Sequence, residues 1–352
     1  MQFPILSLPN VAFLHCYEFL NYKEIILLSQ CSKSTRNLIQ SIEKHKKDTR
    51  MDVLVQATRM TMQMKCGKSS WKEFSWSLHT RRDAMVVYMN EFVDVKIEGY
   101  LWRMSPHETG FRILSRYNED LFLYWIQFLK HLFGCKLSRV QFENLNHFNF
   151  DTFFCQPDIL HETEAMIIWG VKLSDWELKF VMDNVHSKVL QFEGGVENTF
   201  LYDRPIRFPT FYSSAWYCSE FRNFMSYMEN CEKAYITDPR ITSEDINAIL
   251  KSWWSSENRK LTGITFGKED DHVLDGFDMD KILERIPTVP GKMKRREATK
   301  HRPNEENYNE GWDFRRKDGV LGTVLPGIDE GILREVTLVV WDDPNPDVSS
   351  CE

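Results

Sequence analysis

Apolar residues recur at helical spacing through the first forty-odd positions, and soon afterwards the period shortens to two. Val11, Leu14 and Tyr17 fall three apart behind Pro9, whose preset φ and missing N–H suit a first helical turn. Asn21-Tyr22-Lys23-Glu24 has the form of a capping box, and Ile25, Leu27 and Leu28 follow it. A third helix after Ser32 carries Leu38, Ile39 and Ile42. Roughly 45 residues is near the lower limit for a self-sufficient core. The three helices are therefore expected to place part of their apolar surface against the rest of the chain or a partner.

Lys44 to Arg50 is charged and reads as a helix end or short linker. From Met51 the alternation of Val53, Val55 and Ala57, then of Met60, Met62 and Met64, predicts two strands. The methionines read as a core face, since no His or Cys stands beside them at ligand spacing. Cys66-Gly67-Lys68-Ser69-Ser70 lacks the upstream glycine of a phosphate loop and reads as a turn.

Short β-type runs then recur at 93–99, 139–143, 165–170, 188–194, 233–237 and 261–267. Amphipathic helices lie between several of them. Leu121, Tyr124, Trp125, Phe128, Leu129 and Leu132 mark one buried helix face. Ser174 to Glu177 and Thr242 to Asp245 open two more helices, the second carrying Ile246, Ile249, Leu250, Trp253 and Trp254. Strand starts separated by about 23–28 residues suggest stacked strand–helix repeats, and a non-repetitive α/β domain with a mixed sheet competes with that reading. The longer interval before residue 233 holds an aromatic insertion, 197–218. Further on, 287–309 is polar and charged and includes Lys292-Met293-Lys294-Arg295-Arg296, which reads either as an import patch or as a solvated loop. Lys317-Asp318-Gly319-Val320 predicts a hairpin turn, 335–341 a last strand, and the tail is acidic and loose.

Composition narrows the functional classes. Of 352 residues, 42% are hydrophobic and 13% aromatic, enough for a large core. A net charge of −7 argues against a general nucleic-acid binder. No apolar run is long enough to span a membrane, and the N-terminus has no signal-peptide pattern. The eight cysteines are scattered without a Cys-x-x-Cys pair, which fits free thiols in a soluble intracellular protein. No nucleophile elbow, zinc-binding helix, dinucleotide turn or complete P-loop is present, and the ten histidines are dispersed. The expectation is a binding protein with no catalytic residues, cofactor or metal. An enzyme is the least favoured alternative.

Two stretches carry family resemblances. Phe3-Pro4-Ile5-Leu6, Leu8-Pro9, Ile25-x-Leu27-Leu28-Ser29 and Cys31-Ser32-Lys33 together resemble an F-box. The resemblance implies a helical module that docks on a Skp-type adaptor and, through it, on the cullin of a ubiquitin ligase. Pro4, Leu6, Leu8, Pro9, Leu14, Ile25, Leu28 and Ser32 are the implied adaptor-binding positions, although Leu14 and Ile25 are also candidates for holding the helices together. Asp245 to Trp253, Asn258-x-x-Leu261 and Phe314-Arg315-Arg316-Lys317-Asp318-Gly319 resemble the type 2 F-box-associated domain of nematode F-box proteins, best over 140–325. Ser255-Ser256 departs from that pattern where a glycine is usual.

The resulting expectation is an α+β or α/β chain. A three-helix F-box (1–45) leads through a linker and β-rich segment (46–92) to a large domain (93–345) of units resembling degenerate leucine-rich repeats. That domain carries a C-terminal β-hairpin, and a loose tail (346–352) follows. Its function would be that of a substrate-recognition subunit for an unknown protein target, with a scaffold acting without a ligase as the alternative. Target binding would use an exposed sheet face or the aromatic insertion, with Phe200, Tyr202, Phe211, Tyr212 and Trp216 as anchors. Core packing is an equal reading for that insertion.

Overall fold

A computed structural model describes residues 10–43, 49–56, 59–66, 74–80, 93–97, 100–107, 110–115, 119–145, 153–154, 156–195, 200, 202, 204–214, 224–238, 240–268, 276–290, 311–329 and 331–341. Its contacts divide the chain into two compact units, 1–171 and 172–352.

The first unit begins with α1 (Asn10–Glu18), α2 (Tyr22–Ser29) and α3 (Lys33–Glu43). The α2 capping box is complete: the Glu24 amide donates to Asn21 Oδ1 at 3.0 Å and the Asn21 amide to the Glu24 carboxylate at 2.9 Å. Such a cap is worth about 1 kcal/mol. The buried faces differ from those the spacing predicts. On α1 the core side is Phe13 and Tyr17, whose rings stack at 6.0 Å, while Leu14 is exposed. On α2 it is Tyr22, Ile25, Ile26 and Ser29, and on α3 Thr35, Ile39 and Glu43. All three faces follow an i, i+4 stripe rather than the densest run of aliphatic residues. What selects them is the partner across the interface.

Then come β1 (Thr49–Gln56), β2 (Arg59–Cys66), β3 (Phe74–Thr80), β4 (Val93–Ile97), β5 (Tyr100–His107), β6 (Gly110–Ser115), α4 (Glu119–Phe133), β7 (Lys136–Glu143), α5 (Pro157–His161) and β8 (Ala165–Trp169). Strand order in this unit is β4-β5-β6-β3-β2-β1-β7-β8. In the segment expected to lead into the domain, β1 pairs antiparallel with β2 and parallel with β7. Met51 opposes Met64, Val53 opposes Met62 and Val55 opposes Met60, all six fully buried. That is the period-2 ladder the sequence predicts. Helix α4 is buried more broadly than a single stripe, with Phe122, Ile126 and Phe133 joining Trp125, Leu129 and Leu132. The reason is the N-terminal helices. Tyr22 of α2 meets Phe133 edge-on at 5.1 Å, and Arg36 of α3 lies 5.7 Å above Phe128.

The second unit contains α6 (Asp175–Asn184), β9 (Val189–Glu193), β10 (Thr210–Ser213), α7 (Phe224–Tyr227), β11 (Lys233–Thr237), α8 (Ser243–Ser255), β12 (Gly263–Gly267), α9 (Met279–Ile282), β13 (Val289–Pro290), β14 (Trp312–Arg315), β15 (Leu321–Asp329) and β16 (Ile332–Trp341). Its strand order is β9-β10-β11-β12-β16-β15-β14-β13, with β9 to β12 parallel and the remainder antiparallel. Capping boxes open α6 and α8 at Ser174 and Thr242. The aromatic insertion is not a loop between repeats, since its residues 210–213 form β10, paired on both sides. A four-residue strand bounded by Pro209 gives too short an alternation to stand out in the sequence.

Candidate functional site

The N-terminal helices are held internally by polar contacts as well as by packing. Tyr17 donates its hydroxyl to the buried Glu43 carboxylate, tying α1 to α3. Burial, with the Glu43 carboxylate alongside, pushes the Tyr17 phenol well above its ordinary range. Ser32 caps α3 by accepting from the Thr35 amide at 3.0 Å, and the buried Ser29 hydroxyl donates to the Ile26 carbonyl at 2.6 Å.

The residues expected to dock an adaptor therefore separate by environment. Leu14 is exposed, Leu28 and Ser32 are half-buried, and Ile25 lies in the core. Pro4, Leu6, Leu8 and Pro9 lie outside the described residues. Two apolar side chains that sequence reasoning did not select are presented to solvent: Leu27 on α2, and Phe19 just beyond α1, which is 84% exposed. A signal for Leu27 existed. Four consecutive apolar residues, Ile25 to Leu28, cannot all face one side of a helix.

In the second unit the aromatic anchors divide in the same way. Phe200, Tyr202 and Phe211 are buried. Tyr202 donates to Asp183 at 2.9 Å, and burial raises its phenol pKa. These three belong to the core and are not presented to a target. Tyr212 is half-buried on the opposite sheet face, its ring 5.8 Å from that of Tyr235 on the neighbouring strand. Trp216 lies outside the described residues.

The residues that carry the second resemblance converge on one buried arginine. Arg316 is 1% exposed in its side chain and clamps Asp318 in two bonds of 2.8 and 2.7 Å. It also donates to the Asn258 carbonyl at 2.7 Å and lies 5.3 Å above the Trp253 ring. Asn258 in turn accepts from the amides of Lys260 and Leu261, while Phe314 meets Trp253 edge-on at 5.2 Å. The guanidinium holds the Asp318 carboxyl well below its usual range, at about 2. Gly319, at φ +89°, makes the turn between β14 and β15 that returns Asp318 to the arginine. This knot stabilises the unit. Each guanidinium nitrogen of Arg316 donates to a group within the unit.

Among the described residues no group of three His, Cys, Asp or Glu side chains could hold a metal, and no helix is long and apolar enough to cross a membrane. Burial pushes the thiols of Cys135 and Cys231 up to about 12, which removes them as nucleophiles.

Comparison with known proteins identifies an F-box domain at residues 5–47. No curated protein matches the chain. No solved structure matches it either. F-box domains in general bind a Skp-type adaptor and so link to a cullin, and the proteins that carry them are generally adaptors rather than enzymes.

Proposed function

We propose that the chain is the substrate-recognition subunit of a Skp–cullin–F-box ubiquitin ligase, with residues 1–45 as its docking module and the residues from 93 to 345 holding a protein target. The observation that carries this reading is the F-box at residues 5–47 together with the apolar Leu14, Phe19 and Leu27 left facing solvent on that module. Isolated exposed apolar residues are ordinary, but several on one small module are costly unless a partner covers them.

The chain itself performs no chemistry in this reading. It raises the effective concentration of the target beside a ubiquitin-charged enzyme. The larger domain is read as a type 2 F-box-associated domain of degenerate strand–helix repeats. In support, β9, β10, β11 and β12 run parallel and in order, and the Trp253–Asn258–Arg316–Asp318 knot unites the residues on which that resemblance rests. An intracellular site of action follows from the ligase role.

The test is capture of the full chain by a purified Skp-type adaptor. Leu8→Asp with Pro9→Ala should abolish capture, and Phe19→Asp with Leu27→Asp should weaken it about tenfold or more while leaving thermal stability unchanged, as expected for exposed positions. Equal recovery of wild type and both variants would refute the docking role.

A further inference from the structure

Strands β1, β7 and β8 place Gln56, Glu143 and Trp169 in one cross-strand row, on the sheet face opposite the buried side chains Val55, Phe142 and Ile168. Adjacent strands of a sheet lie about 4.8 Å apart, so neighbours in such a row stand side by side. Glu143 is held by two primary amides, the Gln56 Nε2 donating to one carboxylate oxygen at 2.7 Å and the Gln141 Nε2 to the other at 2.5 Å. Both donors are neutral, and no lysine or arginine among the described residues pairs with this carboxylate. Beside it the Trp169 indole is 47% exposed. The end of the row is rigidly made. The Asn144 amide donates to the Trp169 carbonyl at 2.9 Å, and Gly170, at φ +60°, turns the chain where a Cβ would meet Asn144 Oδ1 at 2.1 Å.

We propose that Glu143 and Trp169, oriented by Gln56 and Gln141, form a recognition site for a single arginine or lysine side chain on an extended segment of a protein target. The proposal rests on the substrate-receptor reading and supplies its ligand chemistry. A carboxylate held by neutral amides is not tied up in an ion pair and has lone pairs left for a cationic donor, and charge-assisted bonds of that kind are roughly twice as strong as neutral ones. The exposed indole one strand over offers cation–π attraction to the same cation. Because the acceptors are already positioned, little ordering opposes binding.

The surrounding charges limit which segments fit. Arg59 donates to Gln56 Oε1 at 3.0 and 3.2 Å, so it polarises that amide toward Glu143 from the far side. Arg139, exposed two residues before Gln141 on β7, stands on the same face. These two cations disfavour a polybasic segment. The fitting partner presents one basic residue among neutral or acidic ones.

The experiment titrates the full chain, alone and with a purified Skp-type adaptor added, with fluorescein-labelled peptides of Ser, Thr and Val carrying one central arginine, and with the same peptide carrying norleucine in its place. The arginine peptide should bind about tenfold more tightly, a lead that falls as salt rises. A peptide with three consecutive arginines should bind no better than the single one. Glu143→Gln, which keeps the shape, should erase the arginine preference, and the exposed-site variant Trp169→Ala should reduce it. Equal binding of the arginine and norleucine peptides by wild type, including no binding of either, overturns the proposal. So does an arginine preference that survives Glu143→Gln. Adaptor capture measured on the same samples separates the two readings, because loss of capture refutes the receptor role and leaves the arginine result standing.

Discussion

Replacing Asp318 with asparagine should destabilise the second unit through a residue it does not change. The Arg316 side chain is 1% exposed, and its only anionic partner among the described residues that is equally close is the Asp318 carboxylate, bonded twice at 2.8 and 2.7 Å. Asparagine offers one oxygen and turns an amide N–H₂ toward the guanidinium. A buried cation then keeps the Asn258 carbonyl at 2.7 Å and the Trp253 face as compensation. Breaking a buried pair on one side costs about 3–5 kcal/mol. Asp318 is 28% exposed, so water already screens part of the attraction, and the expected cost is about 2–3 kcal/mol. Arg316→Met removes the charge and keeps a flexible apolar stem over Trp253, so the double variant should be less destabilised than the two single changes added together. The expected coupling is about 1.5–3 kcal/mol. Because two compact units need not unfold together, the readout is urea-dependent hydrogen exchange of amides in β14, β15 and α8. A coupling below about 0.5 kcal/mol would refute the claim that this pair is a mutually dependent buried ion pair.

Three further outcomes are expected. The Asp318 carboxyl is depressed from 3.8 to about 2 by the Arg316 hydrogen bonds, so its contribution is fully present above about pH 4 and is lost as pH falls toward 2; Asp318→Asn should flatten the stability profile across that window. Gly170→Ala puts a side chain into a left-handed conformation against Asn144, and should cost at least about 1–2 kcal/mol in thermal unfolding of the first unit. In the folded chain, iodoacetamide should alkylate the exposed Cys16 and Cys31 and spare the buried Cys135 and Cys231, whose thiols sit near 12; equal modification of all four by mass spectrometry would contradict the burial described.

Local chemistry was legible along the chain wherever a few neighbouring residues decide the outcome. Asn21 with Glu24, Ser174 with Glu177 and Thr242 with Asp245 cap helices because each pair spans a single turn. Met60, Met62 and Met64 line one face because a strand alternates with period two. Asp318-Gly319 turns because glycine tolerates positive φ. The F-box at residues 5–47 was readable for the same reason, its motif being compact and ordered in sequence. What the tertiary structure alone decided is which of several apolar faces turns inward, and which polar groups find each other. Leu14 and Leu27 face solvent because Tyr17 and Tyr22 have partners in Glu43 and Phe133 that no local pattern announces. Gln56 reaches Glu143 across 87 positions and Arg316 reaches Asn258 across 58. Strand register and helix docking create such pairs, and a linear sequence carries their members without marking them as neighbours.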